Sequence, residues 1–112
     1  MTRSDGNLWP IIDDYLIGTG VDGVREIQTS VMDRWKLKEL YGDRICFNGN
    51  VDCQSTLVYG STKDVAEETK NCIKALSPGG GHILSSSNSV NQTVKPENFF
   101  TMLKICRTYG IY

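Results

Sequence analysis

Ile45-Cys46-Phe47-Asn48-Gly49-Asn50-Val51-Asp52-Cys53 decides the fold. An apolar run too short for a helix passes into asparagine, glycine and aspartate, the way a buried parallel strand ends and hands over to a helix. The pattern returns in Gly79-Gly80-Gly81-His82-Ile83-Leu84-Ser85-Ser86-Ser87-Asn88-Ser89, followed by Pro96-Glu97-Asn98. In both stretches small polar residues lie just past the apolar run, where parallel sheets present ligand-facing groups.

Outward from these strands, helical and extended patterns alternate. Asn7 caps a predicted helix over residues 8–17, with Pro10 in its first turn and Ile11, Ile12, Tyr15 and Leu16 as an apolar stripe. A short, polar strand is predicted over residues 24–28. Asp33 then caps a helix bearing Trp35, Leu37, Leu40 and Tyr41, with Gly42 as a left-handed stop. Ser61 and Asp64 have capping-box spacing and open a helix with Val65, Thr69, Cys72, Ile73 and Leu76 on one side. The third strand runs from His82 to Ser85 or Ser86. A last helix begins at Pro96, with Phe99, Met102, Leu103, Cys106 and Tyr109 as its stripe. The expectation is α/β: three parallel strands alternating with four helices in one domain over residues 1–112, joined by right-handed crossovers.

The 112 residues carry 12 basic and 13 acidic side chains, a net charge of −1. No run of like charge is dense enough to steer the chain to nucleic acid or anionic lipid. No apolar stretch approaches the roughly 20 residues of a spanning helix, and the N-terminus has no apolar signal core, so a cytoplasmic location is expected. Cys46, Cys53, Cys72 and Cys106 are accordingly expected to be reduced, with Cys72 and Cys106 among helical apolar positions. Asp13 and Asp14 read as a solvated helix surface, and His82, at a strand start, as structural.

From Ser4-Asp5-Gly6-Asn7 to Tyr109-Gly110 the chain resembles the C-terminal third of the uroporphyrinogen decarboxylase superfamily, which includes the haem-pathway decarboxylase and zinc- and corrinoid-linked methyltransferases. The resemblance implies the last βα units of a (β/α)8 barrel, a fold that takes about 250 residues. It implies a parent activity of decarboxylation or corrinoid-linked methyl transfer, in a chain too short to be catalytically complete. The alternative is a free-standing small α/β module with a structural or interaction role.

The resemblance also orders the candidate site. Where the methyltransferases hold zinc with a His-x-Cys pair and a later cysteine, this chain has Arg3-Ser4-Asp5 and Asn88, so neither a metal nor another cofactor is expected. The ligand-binding candidates are Asp5, Gln28, Asn50, Asp52, Ser86 and Asn88, with Ser85 and Ser87 beside them, facing a small polar ligand. No catalytic residue is assigned. Barrel strands with helices on one face only would leave the other face bare, so a homodimer is expected, with Phe47, Ile83 or Leu84 near the contact.

Overall fold

The computed structural model describes residues 1–110. Among them the sheet has four parallel strands in the order β1-β2-β3-β4: β1 Thr2–Arg3, β2 Gly23–Arg25, β3 Cys46–Asn48 and β4 His82–Ile83. Helices α1 (Arg34–Tyr41), α2 (Thr56–Tyr59), α3 (Thr62–Leu76) and α4 (Pro96–Tyr109) complete the α/β alternation. Strand β1 is one more than expected. A two-residue strand has no periodicity to read.

The capping box that opens α3 is formed: the Asp64 amide donates to Ser61 Oγ (3.1 Å) and the Ser61 amide to Asp64 Oδ2 (2.9 Å). All five apolar-face positions expected of this helix are buried. Asp33 caps α1 by accepting from the Trp35 and Lys36 amides at 2.9 and 3.3 Å. Gly42 ends α1 with φ −67°, not in the left-handed conformation; its place is set by the absence of room for a Cβ beside the Lys38 carbonyl. Three successive left-handed glycines, Gly79, Gly80 and Gly81 (φ +77°, +86°, +71°), return the chain from α3 to β4, and the Lys38 ammonium donates to the Gly80 carbonyl at 2.6 Å.

The first helix departs from expectation. Residues Trp9–Ile11 form a 3-10 turn and Asp14–Gly18 a π-turn, in which the Thr19 amide reaches back to the Asp14 carbonyl. Pro10 lacks an amide hydrogen, and Thr19 Oγ1 donates to the Tyr15 carbonyl at 2.7 Å, so regular α-geometry is replaced at both ends. Ile12 and Leu16 are buried and Ile11 is exposed. Asp13 is tied into the fold as well, because Tyr41 Oη donates to its carboxylate at 2.5 Å. Strand β2 stops at Arg25, short of its expected end, since Glu26 takes φ +58°.

Strand parity divides the sheet into two faces. Thr2, Val24, Phe47 and His82 lie in one row under the helices, with Val24 and Phe47 almost inaccessible to solvent. Burying Phe47 in this way contributes about 1.5–3 kcal/mol. The expectation that Phe47 sits at an intermolecular contact is therefore corrected. Arg3, Arg25, Asn48 and Ile83 form the opposite row, on a face that no helix covers, and Ile83 is 50 % exposed. Leu8, Ile12 and Leu16 from the first segment and Met102 from α4 share one core with α1 and α3. Both terminal segments thus stay on the helical side. Asn98 fixes α4 to the end of α2, its Nδ2 donating to the Leu57 and Gly60 carbonyls at 3.1 and 2.8 Å.

Candidate functional site at the strand ends

Each strand delivers a polar group to the C-terminal edge of the sheet. Arg3 closes β1, Arg25 and Glu26 close β2, Asn48 closes β3, and the loop after β4 brings Ser85, Ser86 and Asn88. Glu26 is the centre. Its side chain is 6 % exposed and both carboxylate oxygens meet arginine, Oε2 the Arg3 Nε and Oε1 the Arg25 Nη2 (2.8 Å). Arg3 also donates through Nη2 to Asn88 Oδ1 (3.2 Å), and Asn88 Nδ2 lies 3.5 Å from both oxygens of Asp5.

The three positions expected to replace zinc ligands, Arg3, Asp5 and Asn88, therefore converge across the mouth of the sheet. A guanidinium donor, an amide that both accepts and donates, and a carboxylate acceptor satisfy one another without an ion. Ser86 Oγ donates to the Asn88 carbonyl (2.6 Å), which holds the loop that presents Asn88. Ser85 Oγ donates to Asn48 Oδ1 at 2.6 Å, bridging β3 and β4.

The other candidates are occupied by the scaffold. Gln28 accepts from the Gly6 amide and donates to Ser30 Oγ, both at 3.0 Å. Asn50 is buried, with Nδ2 donating to the Ile27 carbonyl at 3.2 Å. Asp52 accepts from the Gln54 amide and Ser55 Oγ, both at 2.7 Å, and so fixes the turn into α2. Ser87 is buried and accepts from the Cys53 amide at 3.1 Å. Asp5 and Asn88 remain at the solvent-facing mouth, with Ser86 behind them. The sequence pattern marks Arg3 only as a position that lacks a metal ligand, and Arg25 and Glu26 fall inside the polar strand expected over residues 24–28 without being site candidates. The signal was there: a charged pair at a strand's C-terminal end, where ligand-facing groups belong.

His82 is structural. Its Nε2 lies 2.7 Å from the Gly49 carbonyl, which can only accept, so Nε2 carries the proton and Nδ1 accepts from Ser77 Oγ at 2.7 Å. Burial pushes its pKa below the ordinary 6.5, against a smaller opposing effect of the Gly49 hydrogen bond. Cys72 beneath it has its pKa raised, chiefly by burial, which works against thiolate formation. An open groove of about 580 Å³ on the helical side is lined by Asp33, Arg34, Trp35, Asp64, Glu67 and Glu68 among others. Its Arg34–Glu68 pair (3.3 Å) serves the scaffold, because Glu68 Oε1 also accepts from the Asp52 amide at 2.8 Å. A second groove of about 420 Å³ adjoins Asn88 and includes Cys53, Val58 and Tyr59. Among the described residues no three histidine, cysteine or acidic side chains are grouped to hold a metal ion, and no helix is long and apolar enough to cross a membrane.

Comparison with known proteins matches the chain to one family. The chain is 30 % identical over 92 residues to the uroporphyrinogen decarboxylase of Nitrosococcus oceani and 31 % identical over 84 residues to that of Sodalis glossinidius. Those matches take in 82 % and 74 % of this chain but 24 % and 22 % of the relatives, so the chain spans about a quarter of their length. Among solved structures, a methyltransferase from Methanosarcina mazei superposes with a TM-score of 0.80 at 22 % identity, covering 99 % of this chain and 32 % of that one. The family model for uroporphyrinogen decarboxylase (URO-D) matches residues 5–109, and the chain belongs to that family.

Proposed function

We propose that the chain forms the C-terminal wall of a URO-D-family site that binds a small polar organic ligand at the strand ends, in the service of decarboxylation or corrinoid-linked methyl transfer. The observation that carries this reading is the junction of Arg3, Asp5 and Asn88 beside the Arg25–Glu26 pair. Arg25 is half exposed and has guanidinium donors beyond the one given to Glu26, so it can take an acceptor oxygen of a ligand. Asp5 and Asn88 offer an acceptor and a second donor–acceptor, joined to the Arg25–Glu26 pair through Arg3. These side chains supply positioning and no reacting group, and catalysis needs the remaining strands of a barrel. A cytoplasmic location fits such a role.

Titration of the isotopically labelled protein with a panel of small carboxylates tests the reading. Shifts should centre on Arg25, Asp5 and Asn88 and vanish in Arg25→Ala. Turnover of uroporphyrinogen by the chain alone should not exceed the uncatalysed background, and the purified protein should hold no stoichiometric zinc. Zinc retained at one ion per chain and lost in Asp5→Ala would refute the metal-free site.

A further inference from the structure

Beside the charged mouth lies a groove of the opposite character. It runs between the start of α2 and the loop 88–93, and its volume of about 420 Å³ falls within the range of small-molecule sites. Buried Cys53 and Val58, which packs against the core, form its inner side. Gln54, Tyr59, Asn88 and Asn91 give it a rim of amides and a phenol. Among the described residues that line it, none is charged. The two larger grooves differ: that of about 580 Å³ carries Asp33, Asp64, Glu67, Glu68 and Arg34, and another of about 540 Å³ carries Asp13, Asp14, Asp43 and Arg44.

The walls of the neutral groove are tied to each other. The Cys53 amide donates to Ser87 Oγ at 3.1 Å, Cys53 Sγ reaches the Ser89 carbonyl at 3.9 Å, and the Lys95 amide donates to the Leu57 carbonyl at 3.3 Å. Asn91 Oδ1 accepts from the Thr93 amide and Oγ1 at 2.8 and 2.5 Å, which fixes the loop and leaves Nδ2 pointing to no partner. The side chains of Gln54 and Tyr59 make no hydrogen bond to the described residues. Other side-chain amides of the chain are spent on the fold: Gln28 holds the Gly6 amide, Asn48 holds Ser85, Asn50 the Ile27 carbonyl and Asn98 the end of α2. Unspent amide groups thus collect in one preformed groove.

We propose that this groove takes an uncharged carboxamide carried on a planar ring, as the neutral extension of a ligand held at the mouth. Its place in a larger ligand rests on the ligand reading above, because Asn88 is the residue that groove and mouth share; the preference for a neutral group rests on the groove alone. A primary carboxamide has two N–H donors and a carbonyl acceptor, the same set as Gln54, so the two pair through reciprocal N–H···O bonds, with Asn91 Nδ2 as a further donor. Tyr59, 80 % exposed, offers an aromatic face for the ring. A carboxylate of the same shape has no donor for Gln54 Oε1, brings a charge with no counter-charge in the lining, and meets repulsion from Asp52, which caps the Gln54 amide at 2.7 Å. An ammonium finds no carboxylate in the lining.

Benzamide and benzoate, a matched neutral and anionic pair, test the proposal by NMR titration of the isotopically labelled chain. Benzamide should shift the side-chain amides of Gln54 and Asn91 and the ring of Tyr59, and benzoate should bind there at least about tenfold more weakly. Tyr59→Ala and Gln54→Ala, both at exposed positions and so without effect on the fold, should each weaken benzamide about fivefold. Neither should change the shift that benzoate produces at Arg25. Three results overturn the proposal: benzoate matching benzamide in the groove, benzamide shifting the half-exposed Trp35 of the acidic groove as strongly as Tyr59, or both variants binding benzamide like the parent. Benzoate shifts at Arg25 with no benzamide in the groove defeat the subsite and leave the ligand reading standing. Benzamide in the groove with no carboxylate shift at Arg25 upholds the groove's preference and defeats the reading at the mouth.

Discussion

Replacing Glu26 by alanine and, separately, by glycine separates two effects that this residue combines. Its carboxylate is buried between Arg3 and Arg25, and its backbone is left-handed at φ +58°. A charge-assisted hydrogen bond contributes about 1.5–3 kcal/mol when both partners are withdrawn from water. Here each guanidinium is about half exposed and returns to solvent when its partner is removed, so about 1 kcal/mol per arginine is the appropriate scale. Glu26→Ala should therefore destabilise by about 2 kcal/mol. Glycine loses the same two pairs but removes the cost of holding a side chain in the left-handed region, about 1 kcal/mol. Glu26→Gly should thus be more stable than Glu26→Ala by about 1 kcal/mol, the reverse of their order in ordinary extended or helical backbone. Urea unfolding followed by far-UV circular dichroism, at one fixed protein concentration, measures all three proteins. Glycine less stable than alanine, or alanine indistinguishable from the parent, would refute the argument.

Stability should fall on acidification through His82. Its folded pKa lies below 6.5 and its unfolded value near it, so the unfolded chain takes up the proton first; stability is complete above about pH 6.5 and declines below it, by at most about 1.4 kcal/mol per pH unit. Urea midpoints between pH 7.5 and 5 check this, and His82→Gln should flatten that part of the profile. At the alkaline end, the Tyr41 phenol is pushed up to about 12, first by its hydrogen bond to Asp13, then by burial and by the Asp13 charge. Ultraviolet titration should show one tyrosine ionising late, moved toward 10 by Asp13→Asn, with folding stability lost as pH rises from 10 toward 12.

The chain's local rules were legible wherever one segment contained the whole interaction. Asp33 and its two amides lie within three residues, and Ser61 with Asp64 within one turn; both caps formed as expected. The apolar face of α3 could be read because its period runs unbroken for 15 residues. What escaped depends on partners far apart in sequence. Glu26 meets Arg3 across 23 positions. Phe47 was grouped with Ile83 on the open face for a related reason: the two look alike as letters, and only the register of neighbouring strands puts one under helices and the other in the open. Asn50 and Asp52 were placed at the right strand end, but their hydrogen bonds to the Ile27 carbonyl and the Gln54 amide show them holding backbone.

The two faces of the sheet give the chain a division of labour with an evolutionary consequence. Val24, Phe47 and His82 are locked to the helices, so a mutation at any of them is felt by the whole fold. One residue further along each strand, Arg25, Asn48 and Ile83 lie on the face away from the helical core, where a change is felt only by local partners. Reactivity and partner choice can therefore drift at these alternate positions while foldability is inherited unchanged. A histidine or cysteine exchanged for arginine, aspartate or asparagine at the mouth is the kind of rewriting that such a chain survives.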